Sequence, residues 1–60
     1  MNEKRQNWVD RLIRKYGFEH QAVISFAYLC EYAVDTPEIN CSLEKIFHNL
    51  MEANESEVEE

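Results

Sequence analysis

The stretch EHQAVISFAYLCEYAV, residues 19–34, decides the fold. It contains no glycine or proline, and its length suits a helix better than a strand. On a helical wheel, most of its apolar residues fall within one arc of about 160°. These residues are Ala22, Val23, Phe26, Ala27, Leu29, Cys30, Ala33 and Val34. We predict a helix over residues 19–34 whose broad apolar face must be buried against other helices.

The other side of this predicted helix is only partly polar. Ile24, Tyr28 and Tyr32 lie there on successive turns, among glutamine, serine and glutamate residues. Tyrosine is favoured at protein interfaces because it combines a large apolar body with a polar tip. Either a flanking helix covers this side, or Ile24, Tyr28 and Tyr32 form an interaction surface. The sequence leaves both alternatives open, and these three residues are our candidate surface.

An amphipathic helix is predicted before this stretch, over about residues 3–16. Its apolar side chains recur with helical spacing and cover about 140° of one face. They are Trp8, Val9, Leu12, Ile13 and Tyr16. Gly17 follows directly and is typical of a residue that ends a helix in the left-handed conformation. Because the next connection is short, we expect the first two helices to pack as neighbours.

A third helix is predicted over about residues 42–53. Its apolar stripe consists of Leu43, Ile46, Phe47, Leu50 and Met51. Thr36 and Pro37 are expected to be the N-cap and the first residue of a short turn before this helix. Asn40 or Ser42 is then expected to cap the main helix, since both residue types are favoured at that position.

The composition as a whole favours an all-α domain. One glycine and one proline in sixty residues provide few turns, whereas a small all-β fold needs many. We predict a single three-helix domain over residues 1–54 and an acidic, disordered tail over residues 55–60. A domain of this size buries only about 60% of the surface of its unfolded chain. Its stability is therefore marginal, and a partner chain would increase it.

The charge is unevenly distributed along the chain. The net charge is −6, yet five of the six basic residues lie in the first fifteen positions. Lys4, Arg11, Arg14 and Lys15 form a stripe on the first helix, but the overall negative field disfavours nucleic acid as a partner. No apolar segment reaches the roughly 20 residues of a membrane span. We therefore expect a cytoplasmic protein with reduced thiols and no membrane partner.

Four residues of metal-binding type are present, namely Cys30, Cys41, His20 and His48. Zinc ligands usually occur in pairs separated by about two to five residues, and none of these four has such a neighbour. We predict no metal site and no cofactor. A Cys30–Cys41 disulfide would stabilise the fold, but the expected reducing compartment disfavours it. Cys41 and His48 would lie about 10 Å apart along a helix, too far for proton transfer, so we predict no catalytic residue and no enzyme activity.

Three functional hypotheses remain. The first is a small helical interaction or self-assembly module, preferably a homodimer, because the central helix is apolar around most of its circumference. The second is a small acidic regulator or inhibitor that docks on a larger protein. The third is a metal-binding or redox domain that uses the two cysteines and two histidines. Under the first two hypotheses, the partner is a second copy or another protein, and the contact surface is expected at Ile24, Tyr28 and Tyr32.

Overall fold

The computed structural model describes residues 2–53 and confirms an all-α domain of three helices. Helix α1 spans Glu3–Tyr16, α2 spans Gln21–Tyr32 and α3 spans Pro37–Glu52, and no strand occurs among the residues described. Each helix packs against both of the others. The predicted acidic tail over residues 55–60 lies outside the described residues, as does the end of the predicted domain.

Helix α1 begins and ends where the sequence predicts. The side chain of Asn2 caps its first turn by accepting a hydrogen bond from the backbone N–H of Arg5 at 2.8 Å. At the other end, Gly17 adopts a φ of 93° and its N–H donates to the carbonyl of Ile13 at 2.7 Å. Glycine favours this positive φ because it has no Cβ atom, so Gly17 ends the helix as predicted, although its ψ of 148° lies outside the left-handed helical conformation that was expected.

Helix α2 is shorter than the predicted range of 19–34 at both ends. His20 lies outside the helix and caps it, because its Nδ1 accepts a hydrogen bond from the backbone N–H of Ala22 at 3.1 Å. Ala33 has already left the helix and is extended, with φ −72° and ψ 146°. The helix therefore ends at Tyr32, and the two residues that follow belong to the connection with α3.

Helix α3 begins at Pro37, earlier than the predicted start at residue 42. The hydroxyl of Thr36 accepts a hydrogen bond from the backbone N–H of Ile39 at 3.2 Å and caps the helix. Pro37 fits the first helical position because a missing N–H costs nothing there. Thr36 and Pro37 therefore take the predicted N-cap and first helical positions, but they do so in α3 itself. The prediction of a separate turn, with Asn40 or Ser42 as the cap of the main helix, is wrong. Both residues lie inside one continuous helix.

The core is built around three aromatic rings, one from each helix. Trp8 stacks on Phe47 with ring centroids 5.8 Å apart, and Phe26 lies 6.3 Å from Trp8 and 6.4 Å from Phe47. The remaining buried apolar side chains surround these rings. They are Val9, Leu12, Val23, Cys30 and Leu43. The three helices are therefore held together by one shared cluster.

Two residues of the predicted apolar arc of α2 do not belong to this core. Leu29 keeps 42% of its surface exposed, and Val34 keeps 66%. Val23, Phe26 and Cys30 are buried and Ala27 and Ala33 are partly buried against the core, so the buried arc is narrower than the apolar arc. Leu29 lies at the edge of that arc, and Val34 lies beyond the end of the helix. The prediction that Leu29 and Val34 are buried against the other helices is therefore wrong.

Arg5 is the one charged side chain buried among residues 2–53, with only 3% of its surface exposed. Its Nη1 donates to the carbonyls of Cys30 and Ala33, both at 2.9 Å. Its Nη2 donates to the carbonyl of Val34 at 2.8 Å. The last carbonyls of a helix have no partner within the helix and form its negative end. Since α2 has no basic residue in its last turn, Arg5 of α1 supplies the missing donors and charge.

A chain of polar side chains extends from Arg5 to the surface. Its Nε donates to Oδ1 of Asn40 on α3 at 2.8 Å, and Nδ2 of Asn40 donates to Asp35 at 2.6 Å. The other carboxylate oxygen of Asp35 accepts from Nδ2 of Asn2 at 3.2 Å. The hydrogen bonds from Asn40, and next those from Asn2, lower the pKa of Asp35 below its usual value of 3.8. This network joins the start of α1, the α2–α3 connection and α3.

Replacing Arg5 should destabilise the domain severely. We expect Arg5→Ala to lower the free energy of unfolding by about 3 kcal/mol or more, because buried carbonyls lose their donors. Such a loss is large against the roughly 5 kcal/mol that a domain this small is expected to have. Arg5→Lys should fall in between, since an ammonium cannot reproduce the planar fork of donors. Urea unfolding followed by circular dichroism measures both variants.

The matched control is Arg14→Ala, which removes an exposed arginine from the same helix. It should cost less than about 1 kcal/mol. Equal losses for Arg5→Ala and Arg14→Ala would contradict the role assigned to Arg5.

The contribution of Asp35 should depend on pH. Its pKa is lowered in the folded state, so the ionised carboxylate stabilises the fold at pH values above its unfolded pKa, near 3.8. This stabilisation is lost as the pH falls below 3.8 and through the folded-state pKa. At pH 7 the variant Asp35→Ala should therefore be less stable than the wild type. The difference between their free energies of unfolding should shrink toward zero in acid, and a difference that stays constant with pH would contradict this assignment.

Candidate interaction surface

The outer side of α2 exposes a continuous group of large apolar side chains. Ile24, Tyr28 and Tyr32 follow one another at intervals of four residues, and 53%, 65% and 71% of their surfaces are exposed. The rings of Tyr28 and Tyr32 lie against each other with centroids 4.7 Å apart. Leu29, on the next row of the helix, is 42% exposed. We call these four residues the α2 surface.

The position of this surface follows from the helical geometry. At 100° per residue, Tyr28 lies roughly opposite the side formed by Val23, Phe26 and Cys30. The inner side is filled by α1 and α3, so the outer side has no third helix to cover it. The sequence predicts Ile24, Tyr28 and Tyr32 as a candidate surface, and the structure leaves all three exposed. The structure also exposes Leu29, which the helical wheel had placed on the face expected to be buried.

The α2 surface is nearly free of charge. Glu31 is the only acidic residue of α2, which contains no lysine or arginine. Two further polar residues, Gln21 and Ser25, are exposed on the same side of the helix. The surface is therefore an apolar stripe with a thin polar border, which resembles the centre and rim of protein interfaces.

The basic stripe of α1 has a different arrangement. Lys4 lies over the ring of Trp8 at 6.0 Å, and Arg11 lies over the ring of Phe47 at 5.8 Å. Lys15 lies 5.4 Å from the ring of Tyr16. These distances are typical of cation–π contacts, so these side chains cover the aromatic core. No lysine or arginine within residues 2–53 makes a salt bridge to a carboxylate.

The cysteines and histidines do not come together. Cys30 is buried in the core and Cys41 is exposed on α3, and both are free thiols. His20 caps α2 beside the ring of Tyr16, whereas His48 lies on α3, 3.5 Å from a carboxylate oxygen of Glu44. Within the described part of the chain, no three histidine, cysteine or acidic residues are grouped as a metal ion would require. The Cys30–Cys41 disulfide, which the sequence analysis disfavours, is not formed.

Comparison with protein-family models found no match, and comparisons with curated proteins and with solved structures found no significant match. None of the three helices described is both long and apolar enough to span a membrane.

The two thiols should differ sharply in reactivity. Burial raises the pKa of Cys30, and the nearby charge of Arg5 only partly opposes this rise. Since the thiolate is the reactive form, Cys30 should stay inert in the folded protein at neutral pH. We expect a maleimide to modify one thiol of the native chain rapidly and the second only after unfolding. Cys41→Ser should abolish the rapid reaction, and rapid labelling that persists in Cys41→Ser would contradict the burial of Cys30.

Proposed function

We propose that this protein is a small protein–protein interaction module that forms a homodimer through the α2 surface. The observation that supports the proposal is the joint exposure of Ile24, Tyr28, Leu29 and Tyr32 on one helix. Single exposed apolar residues are normal on proteins, but a contiguous set of large ones indicates a contact site. A second copy of the chain is always present as a possible partner. Two-fold symmetric dimers, in which both copies use the same surface, are the commonest oligomers.

The α2 surface would form the apolar centre of a dimer interface. At ~200 Å² for each large side chain, the exposed fractions of the four residues correspond to about 450 Å² per copy. Two copies would therefore bury about 900 Å² at these residues, whereas specific interfaces bury about 1,200 Å² or more in total. The polar residues at its border would provide the remaining area.

Association would also increase the free energy of unfolding, which is expected to be small for a sixty-residue chain. A partner that binds only the folded state stabilises it by mass action. The described residues contain no disulfide and no grouped metal ligands, so neither kind of crosslink stabilises this part of the domain. Burial of the α2 surface against a partner chain would add stability by a different route.

Docking on a different, larger protein is the second candidate. The net charge of −6 favours it, because an acidic module is attracted to a basic partner surface. The same α2 surface would form the contact. This candidate differs from the first in a simple respect, since it requires the isolated protein to be a monomer with a free α2 surface.

The substitution Ile24→Glu tests the proposed homodimer. At about 100 µM, the wild type should have twice the 7.2 kDa mass of one chain by size-exclusion chromatography with light scattering. Ile24→Glu should weaken association at least about 100-fold, since two copies each lose roughly 1.5 kcal/mol of apolar burial and gain a charge. The variant should therefore elute as a monomer.

The matched control is Ile46→Glu, the same change at an isoleucine of α3 that is 37% exposed. It should remain a dimer, with circular dichroism used to verify that both variants are helical. A wild type that is monomeric under these conditions would contradict the homodimer and favour the second candidate. Equal dissociation by both variants would show that the α2 surface is not the specific contact.

A further inference from the structure

We propose that the acidic residues 55–60 bind the basic stripe of α1 in the same chain and shield it from other polyanions. This inference is independent of the proposed homodimer, because it concerns a different helix. The basic stripe consists of Lys4, Arg11, Arg14 and Lys15, and all four residues are exposed. The segment proposed to occupy it contains four glutamates in six residues.

The first argument is the unmatched charge of the basic stripe. On a helical wheel, Lys4, Arg11 and Lys15 lie within about 40° of one another, and Arg14 lies about 60° to one side. The first three lie over aromatic rings, at distances between 5.4 and 6.0 Å, but these contacts do not neutralise their charge. No lysine or arginine within residues 2–53 makes a salt bridge to a carboxylate. The stripe therefore presents four positive charges to an anionic partner.

The second argument is the place where the chain leaves α3. Helices α1 and α3 run in the same direction, because Arg5 binds Asn40 in their first turns and Tyr16 binds the carbonyl of Leu50 in their last turns. The hydroxyl oxygen of Tyr16 is also 3.4 Å from the carbonyl oxygen of Ala53, the last residue described. The acidic segment is therefore attached beside the C-terminal end of α1, where the basic stripe ends.

The length of the segment is sufficient to cover the whole stripe. Lys4 lies twelve residues before Tyr16, which corresponds to about 18 Å along α1. Seven residues, from 54 to 60, span up to about 24 Å when extended. A group attached by a short linker has an effective concentration on the order of 1 mM. Attachment therefore allows several ion pairs, each of them weak alone, to keep the stripe occupied.

The third argument is charge complementarity along the chain. Residues 2–53 contain six basic and eight acidic residues, whereas residues 54–60 contain four acidic residues and no basic one. The acidic segment is thus the part of the chain with the highest density of negative charge, and it is attached beside the part with the highest density of positive charge. A nucleic acid or another polyanion would have to displace this segment before it could bind the stripe.

Paramagnetic broadening of amide signals tests the contact in the full chain. A nitroxide is attached to Val58→Cys in a Cys41→Ser background, because the remaining thiol, Cys30, is buried. At about 20 mM NaCl, where charges are weakly screened, we expect the label to reduce the amide signal of Lys4 at least about twofold. In about 1 M NaCl the Debye length is only about 3 Å, so the broadening should recede to residues beside Tyr16.

Two variants with the same net charge establish whether the glutamates of the segment are the cause. The tail variant carries Glu55→Gln, Glu57→Gln and Glu59→Gln. The matched control carries Glu19→Gln, Glu31→Gln and Glu38→Gln, at exposed positions of the described domain. The tail variant should lose the broadening of Lys4, and the matched control should keep it.

Three results would overturn the contact. The first is broadening of Lys4 that is equal in the two variants, and the second is broadening that is unchanged in 1 M NaCl. The third is broadening that arises only when spin-labelled copies are mixed with isotope-labelled copies without a nitroxide, because the segment would then bind a different chain.

Heparin serves as the polyanion probe for the shielding. The apparent affinity of a site falls in proportion to the fraction of molecules in which that site is free. At about 50 mM NaCl, the tail variant should therefore bind heparin at least about fivefold more tightly than the matched control. Circular dichroism verifies that both variants are helical. Equal affinities of the two variants for heparin would overturn the shielding.

Discussion

The contact between the Arg5 guanidinium and the carbonyls at the end of α2 is the interaction on which the rest of the structure depends. Helix α2 ends without a basic residue of its own, so its negative end needs donors from elsewhere. Arg5 reaches it from the first turns of α1 and also binds Asn40 of α3. One buried side chain thereby fixes the relative positions of all three helices. It also holds Ala33 and Val34 in the extended connection.

This constraint determines which side of α2 is left exposed. The helix is held at its C-terminal end by Arg5 and along its inner side by Phe26, which packs against both Trp8 and Phe47. Any rotation that buried Tyr28 would separate these rings and break the hydrogen bonds of Arg5. The exposure of the α2 surface is thus a consequence of how the core is built. The polar network that ends at Asp35 reinforces the same geometry from the outside.

The charged and apolar parts of the molecular surface have separate roles. On α1, Lys4 and Arg11 lie over Trp8 and Phe47, so part of the basic stripe shields the core. The α2 surface contains no charged residue, and Glu31 is the only charged residue of the whole helix. In the association that we propose, apolar contact at α2 would provide the affinity, and long-range charge would influence orientation and rate.

Hydrophobic periodicity and residues close together in the chain were enough to predict the three helices, the end of α1 at Gly17 and the stripe of Ile24, Tyr28 and Tyr32. The other features depend on contacts between residues far apart in the chain. The wheel gives the direction of Leu29 but not how much of the apolar arc the neighbouring helices cover. The start of α3 was predicted wrongly because Thr36, Asn40 and Ser42 are all residue types that can cap a helix, and the sequence does not show which of them does so. Arg5 looked like one more basic residue of α1, since its partners at Cys30 and Asn40 are 25 and 35 residues away and no local pattern connects them.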